Sequence, residues 1–348
     1  MTLPRDPSIL AIVLNYRTPD LTLRAADTAL SELAGLRSRL IIVDNASGDG
    51  SEALIAAEIA RRDWDEMGVE LLQSGHNGGF GAGNNAGIRQ GMATGIDGAP
   101  PDYIYILNSD AFPDSQAIRR LVEHLEATPE CGLAGSYIHG PDGKPHMTAF
   151  RFPSIPGEFE GAARIGPLSR MLERHIVPLP VPRKTTRVDW LAGASLMIRR
   201  EVLEEIGLFD ERYFLYFEET DLCLRAFRAG WRTDYVRESE VTHIGSVSTG
   251  MKDWARMPQY WFDSRLHYFN SNHGAAYAAL ATLAHVLGAS LYRLRCLIDR
   301  RKIRDPDRFL RDLIAHALRA PFRKSETPGA GIPPLLPPVL SRPTGEQT

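Results

Sequence analysis

The sequence predicts an α/β fold, a doubly wound and mostly parallel sheet flanked by helices, with a helical extension at the C-terminal end. Three observations carry this. Short apolar runs stop at polar residues, helix-period segments separate them, and turn residues punctuate the alternation. Ile9 to Leu14 and Leu40 to Val43 are continuous apolar runs, as in strands buried on both faces. Between them, Asp20 to Leu33 has helical spacing, with Pro19 and Asp20 as its start signal. Ser51 to Arg62 reads as the next helix, Val69 to Leu72 as a strand, Asn84 to Met92 as a helix and Tyr103 to Leu107 as a strand. Residues 152–187, rich in proline and glycine, read as a mobile insertion of the kind that often forms lids. Order resumes with Val188 to Ile198 and Val202 to Ile206, then an aromatic stretch to Phe217, a helix over Thr220 to Ala229 and a strand over Thr233 to Val236. Residues 1–250 thus form the predicted α/β domain, split near 112, followed by a helical extension over 251–325 and a disordered tail over 326–348.

A formal charge of -3 on 348 residues argues against a nucleic-acid partner. Cys131, Cys223 and Cys296 are far apart and form no C-x-x-C pair, which fits a reducing compartment. The first residues show no secretory leader, so a cytoplasmic location is expected.

Asn15-Tyr16 and Asp44-Asn45 end the first two strands, so both pairs belong at the sheet edge where ligands bind. Asp44 there can accept the N3 proton of uracil or thymine while Tyr16 stacks; it can equally cap the turn before Ser47-Gly48. The run from Gly78 and Gly79 to Asn85 offers bare backbone and a helix N-terminus to a ribose or diphosphate. Its G-x-G-x-G spacing is not the dinucleotide fingerprint, and a flexible turn is the competing reading. Asn108-Ser109-Asp110 closes a strand with one carboxylate, enough to anchor a divalent ion whose other positions go to phosphates and water.

Glu218, Glu219 and Asp221 open a helix. Adjacent side chains diverge by about 100°, so only one glutamate can face a substrate and serve as general base. Asp221 and Arg225 lie four apart and can pair. A solvated acidic helix start is the bland alternative. His243 is a hydrogen-bonding residue or a metal ligand.

Together these residues resemble the family-two glycosyltransferases of the GT-A fold, particularly bacterial rhamnosyltransferase-like members. The resemblance runs in order from Ile9 to about Thr249, through Val13 to Tyr16, Val43 to Ser47, Asn77 to Phe80, Leu107 to Asp110, Trp190 to Ala194 and Phe217 to Leu222. It implies a nucleotide site drawn from Asn15, Tyr16, Asp44, Asn77, Gly78, Gly79, Asn85 and Asn108, with Asp110 as the metal-binding end of the family's D-x-D and His243 as a further ligand. Glu219 takes the place of the base, with Glu218 and Asp221 as supporting acids, while Trp190, Gly193 and Ala194 wall the sugar and acceptor pocket. Two departures stand out: Asn108 replaces the first acid of D-x-D, and Glu218-Glu219 replaces the usual Glu-Asp pair.

The implied activity is inverting transfer of rhamnose or another hexose from a dTDP- or UDP-sugar to a hydroxyl of a polysaccharide or lipid-linked glycan precursor, with Mn2+ or Mg2+. A sugar-nucleotide nucleotidyltransferase and a non-catalytic sugar-nucleotide or glycan-binding protein are the competing classes, the latter kept open by Asn108. Ala275 to Tyr292 is apolar but alanine-rich and contains His285, and a cluster from Arg293 to Arg304 follows. This suits peripheral contact with the inner face of the cytoplasmic membrane, a homodimer interface, or packing on the catalytic domain.

Overall fold

The computed structural model describes residues 6–245 and 255–319; the proline-rich tail and residues 1–5 lie outside that range. Strands β1 (Ser8–Asn15), β2 (Arg37–Asp44), β3 (Val69–Gln73) and β4 (Tyr103–Asn108) form one parallel half of the main sheet, in the order β3-β2-β1-β4. Helices α1 (Pro19–Leu33), α2 (Ser51–Arg61) and α3 (Gly79–Thr94) connect them. After β5 (Ala111–Pro113), α4 (Ala117–Ala127), β6 (Cys131–His139) and β7 (Ala149–Phe150), the chain runs through α5 (Ile155–Ala163) and α6 (Gly166–Met171) to three short strands. These are β8 (Thr186–Val188), β9 (Trp190–Leu191) and β10 (Ser195–Arg199). The last of them enters antiparallel between β4 and β6, and β11 (Arg232–His243) then lies parallel to β6. The sheet is therefore mixed but mostly parallel, as expected; β5 and β6 go beyond the predicted elements.

The apolar runs are continuous because both faces are covered. Ile9, Ala11 and Val13 of β1 pack with Ala25, Ala29, Ile118 and Leu121 from α1 and α4. Leu10 and Ile12 point the other way, to Ile88 of α3 and to Val202 and Leu222 beyond it.

Helix α3 starts five residues before the predicted start, inside the glycine run, for a packing reason. Gly83, Gly87 and Gly91 follow Gly79 at four-residue intervals, and a Cβ on any of these three would press into Leu14, Ile12 or Leu10 of β1. The stripe lets the helix lie close to the strand. Gly79 itself has φ +89°, and a Cβ there would overlap the Phe214 carbonyl oxygen, which accepts the Phe80 N–H at 3.1 Å. Gly79→Ala should thus cost roughly 2–6 kcal/mol, combining left-handed strain with steric overlap. Gly50→Ala serves as the control, since Gly50 has φ +92° but open space around its Cβ direction. If denaturant melts show both variants equally destabilised, the overlap contributes nothing.

Residues 152–187 differ from the expected irregular insertion. They hold α5 and α6, with Ser154 capping α5 through the Gly157 N–H at 3.2 Å. Prolines at the first turns of both helices start them rather than break them. Beyond β11, α9 (Gln259–His273), α10 (Ala275–Ile298) and α11 (Phe309–Arg319) form the helical extension. α5 packs on α10 so closely that a Cβ on Gly288 would sit 2.5 Å from the Phe159 carbonyl oxygen.

Candidate active site

The parallel register brings Asn15, Asp44 and Gln73 side by side at one edge, and places Asn108 opposite Leu14. Among these, Asn15 and Asp44 are buried and fully used by the protein. Asn15 Nδ2 donates to Asp44 Oδ1 at 2.6 Å and to Ser47 Oγ at 3.1 Å, and its Oδ1 accepts from Thr22 Oγ1 at 2.7 Å. Asp44 also accepts from Ser47 Oγ and the Ser47 N–H, and from Gln73 Nε2 at 2.9 Å. Asp44 thus caps the turn at Ser47, and Asn15 braces Asp44, Ser47 and Thr22. The half-exposed residues at this edge are Tyr16, with the Arg17 guanidinium 5.2 Å from its ring centre, and Asn108.

Two further residues of the expected nucleotide site, Asn85 and Asn77, also bond to the protein itself. Asn85 is fully buried and clamps the loop before α8 (Glu218–Arg228): it donates to the Phe209 carbonyl at 2.8 Å and Glu211 Oε1 at 2.9 Å, and accepts from the Phe209 N–H at 3.1 Å. Asn77 Oδ1 accepts from the Gly79 N–H at 3.1 Å and Asn45 Nδ2 at 3.0 Å, and so shapes the entry to α3. At Gly78 an added Cβ would meet Ala82 and His76. Along the glycine run, the missing Cβ atoms let α3 pack closely on β1 and on the Phe214 backbone.

Asp110 and His243 are brought together although 133 positions separate them. His243 pairs with Ala111 across β5 and β11, and its Nε2 lies 3.0 Å from Asp110 Oδ1; Oδ2 accepts the Gly245 N–H at 3.0 Å. Burial pushes the Asp110 carboxyl up, but the hydrogen bond and charge of His243 outweigh it and hold the group below its usual range. The 3.0 Å spacing suits adjacent ligand positions around a small divalent ion, whose bonds run about 2.0–2.1 Å. His146, unmarked by any spacing in the sequence, stands beside them with its ring 5.9 Å from that of His243.

The two glutamates diverge as helix geometry requires. Tyr216 and Phe217 both adopt positive φ, at 70° and 71°, and α8 begins immediately with Glu218. Glu218 is 1% exposed, and its Oε2 has no hydrogen-bond partner among the described residues. Burial first, then the charge of Glu219, drives its carboxyl well above the ordinary range. Glu219 instead faces a cavity of about 440 Å³ walled by Trp190, Tyr216, Phe217 and Trp261. Its Oε1 accepts the Gly193 N–H at 3.0 Å; burial raises its pKa, against the pull of that N–H. The next residue, Ala194, accepts the Asn108 N–H at 3.1 Å. Gly193-Ala194 thereby ties Glu219 to the strand end that carries Asp110.

Asp221 has the structural job its spacing predicts. It accepts from Arg225 Nε at 2.7 Å and Asn272 Nδ2 at 2.7 Å, while Arg225 also holds the Ile206 and Leu208 carbonyls. Trp190 stacks on Phe150 at 4.1 Å and donates to the Arg151 carbonyl, which fixes it as a cavity wall. The far side of the cavity includes Glu158 and His285. Burial alone would raise the Glu158 carboxyl, but Arg265 at 2.7 Å and His285 at 2.8 Å bring it down to about 2. Glu158 and Arg265 carry no local motif, since α5 and α9 meet only through tertiary packing.

The chain is 33% identical over 222 residues to the N-acetylglucosaminyl-diphospho-decaprenol L-rhamnosyltransferase of Mycobacterium tuberculosis, covering 61% of this chain and 68% of the relative. Rhamnosyltransferase WbbL of Escherichia coli K12 is 25% identical over 195 residues, 56% of this chain and 70% of the relative. The mannosyltransferase PcManGT of Pyrobaculum calidifontis, solved with GDP-Man and Mn2+, superposes with a TM-score of 0.56 at 15% identity, over 92% of this chain and 82% of the other, and so shares the GT-A fold. Residues 6–259 match the sequence profile described as glycosyltransferase like family 2, and the chain belongs to that family: it is a glycosyltransferase.

Proposed function

We propose that the protein is an inverting hexosyltransferase that passes a sugar, rhamnose in the first instance, from a dTDP- or UDP-sugar to a hydroxyl of a lipid-linked glycan precursor on the cytosolic side. The observation that carries this is the Gly193-Ala194 bridge, with an acid of raised pKa facing an aromatic cavity at one end and the Asn108-Ser109-Asp110 strand end at the other. The relatives' rhamnosyl transfer, in one case with a decaprenol-linked substrate, supports the sugar and acceptor class.

Glu219 takes the proton of the acceptor hydroxyl, held oriented by the Gly193 N–H. The hydroxyl oxygen then attacks the anomeric carbon from the face opposite the diphosphate, so configuration inverts in one displacement. Trp190, Tyr216, Phe217 and Trp261 keep water from competing. Asp110 and His243, with His146 adjacent, would hold a Mn2+ or Mg2+ ion that offsets charge on the departing diphosphate. Tyr16 gives the base a stacking face. Asp44 can reach the base only by exchanging its Gln73 or Ser47 partner for the N3–H.

Incubating the protein with dTDP-rhamnose, UDP-hexoses and GDP-mannose plus a lipid-linked acceptor tests the reading. Release of dTDP or UDP with an inverted product is expected. Pyrophosphate release would point to nucleotidyl transfer, and binding without turnover to a non-catalytic role. Stabilisation by GDP alone would overturn the nucleotide assignment.

A further inference from the structure

The outer face of α10 is apolar, and no described residue covers it. Between 275 and 291 every exposed residue is Ala, Leu or Ser. Leu280, Leu287 and Leu294 recur every seven positions, with Leu283, Leu291 and Ile298 on the turns between, each 41–70% exposed. Past the helix end, Arg300, Arg301, Lys302 and Arg304 are exposed around Ile303, and three of the four have no acidic partner among the described residues. The inner face is buried differently: Gly288 presses on α5, Ala289 is buried, and His285 binds Glu158 at the cavity.

We propose that this face docks on an anionic membrane surface, with α10 lying in the interface, leucines toward the acyl chains and cations at the headgroups. A spanning helix is excluded by the inner face, which cannot face lipid while it holds α5. A second copy fits less well on charge. Residues 255–319 carry eleven basic and five acidic side chains in a chain that is net -3, so pairing two such segments would bring like charges together while an anionic bilayer neutralises them. The helix also separates the bilayer from the cavity by only its own diameter, about 10–12 Å. A lipid-linked acceptor could then reach Glu219 without leaving the membrane; this last point rests on the proposed acceptor class, while the docking does not.

Flotation of the full-length chain with vesicles tests it. Binding is expected to phosphatidylglycerol/phosphatidylethanolamine vesicles and much less to phosphatidylcholine alone. Leu287→Glu with Leu291→Glu should weaken partitioning at least tenfold, since each change replaces an apolar side chain meant for the acyl region with a carboxylate repelled by anionic headgroups. Arg300→Ala with Lys302→Ala should weaken it on the order of fivefold for each cation removed. Both double variants should keep the wild-type melting temperature and transfer to a short water-soluble acceptor. Equal flotation of the leucine variant and wild type would overturn the proposal. So would a wild-type dimer in sedimentation that ignores vesicles and splits in the leucine variant, which would give the face to a second copy. Normal flotation without any transfer would sink the proposed reaction and leave the docking intact.

Discussion

Glu219→Gln should lose on the order of 10² to 10⁴ in transfer rate, the typical worth of a positioned general base, while binding donor nearly as well as wild type. The amide keeps the size of the side chain and can still accept the Gly193 N–H, so the fold around it persists. Burial raises the Glu219 pKa, so the acidic limb of the wild-type rate profile should lie above the ordinary glutamate value of 4.5. Because Glu218 is its buried neighbour, that limb reports the pair rather than one residue. Glu218→Gln provides the contrast. Its carboxyl is raised in the folded state, so its contribution to stability is complete below the unfolded value near 4.5 and is lost as pH climbs toward the folded one. The amide removes that loss, and the variant should melt at or above wild type at neutral pH with a smaller fall in turnover. Asp221→Asn should chiefly lower the melting temperature, since it weakens the contact with Arg225. Normal turnover in both glutamine variants would eliminate base catalysis by this segment.

Asp110→Ala should reduce turnover about a thousandfold or more, because it removes the sole carboxylate of the strand end and, with it, several kcal/mol of leaving-group stabilisation. Chelation of the wild-type protein should produce a comparable loss, reversed by Mn2+. The variant should not recover with Mn2+, and dTDP or UDP should no longer raise its melting temperature further when Mn2+ is added. A wild-type rate indifferent to EDTA would refute the metal reading and leave the charge on the diphosphate to a cationic side chain.

Much of the sheet was legible because the information is local. Ile9 to Leu14 and Leu40 to Val43 announce buried parallel strands by composition alone, and their polar ends mark the ligand edge without any knowledge of packing. The acidic helix was legible too, since its angular spacing separates Glu219 from Glu218 and pairs Asp221 with Arg225. What the local sequence does not show is which distant groups a polar residue will meet. Asn15 and Asn85 look like exposed polar residues near a ligand; only the fold supplies the Asp44 carboxylate and the Phe209 backbone that absorb them. The glycine run was ambiguous for the same reason, because closeness to β1 and nearness to a phosphate ask for the same missing Cβ. Proline content hid α5 and α6, whose prolines sit at first turns.

The antiparallel insertion of β10 has a consequence for how the chain emerges from the ribosome. Strand β4 is complete at Asn108, yet one of its two neighbours, β10, begins only at Ser195, about 90 residues later. At roughly 5–20 residues per second, the nascent first half carries an unpaired, apolar strand edge for about 5–20 s, the kind of template that recruits other chains. Synthesis speed across residues 109–194 therefore sets how long this glycosyltransferase is exposed to aggregation, before any of the helix that carries Glu219 has been made.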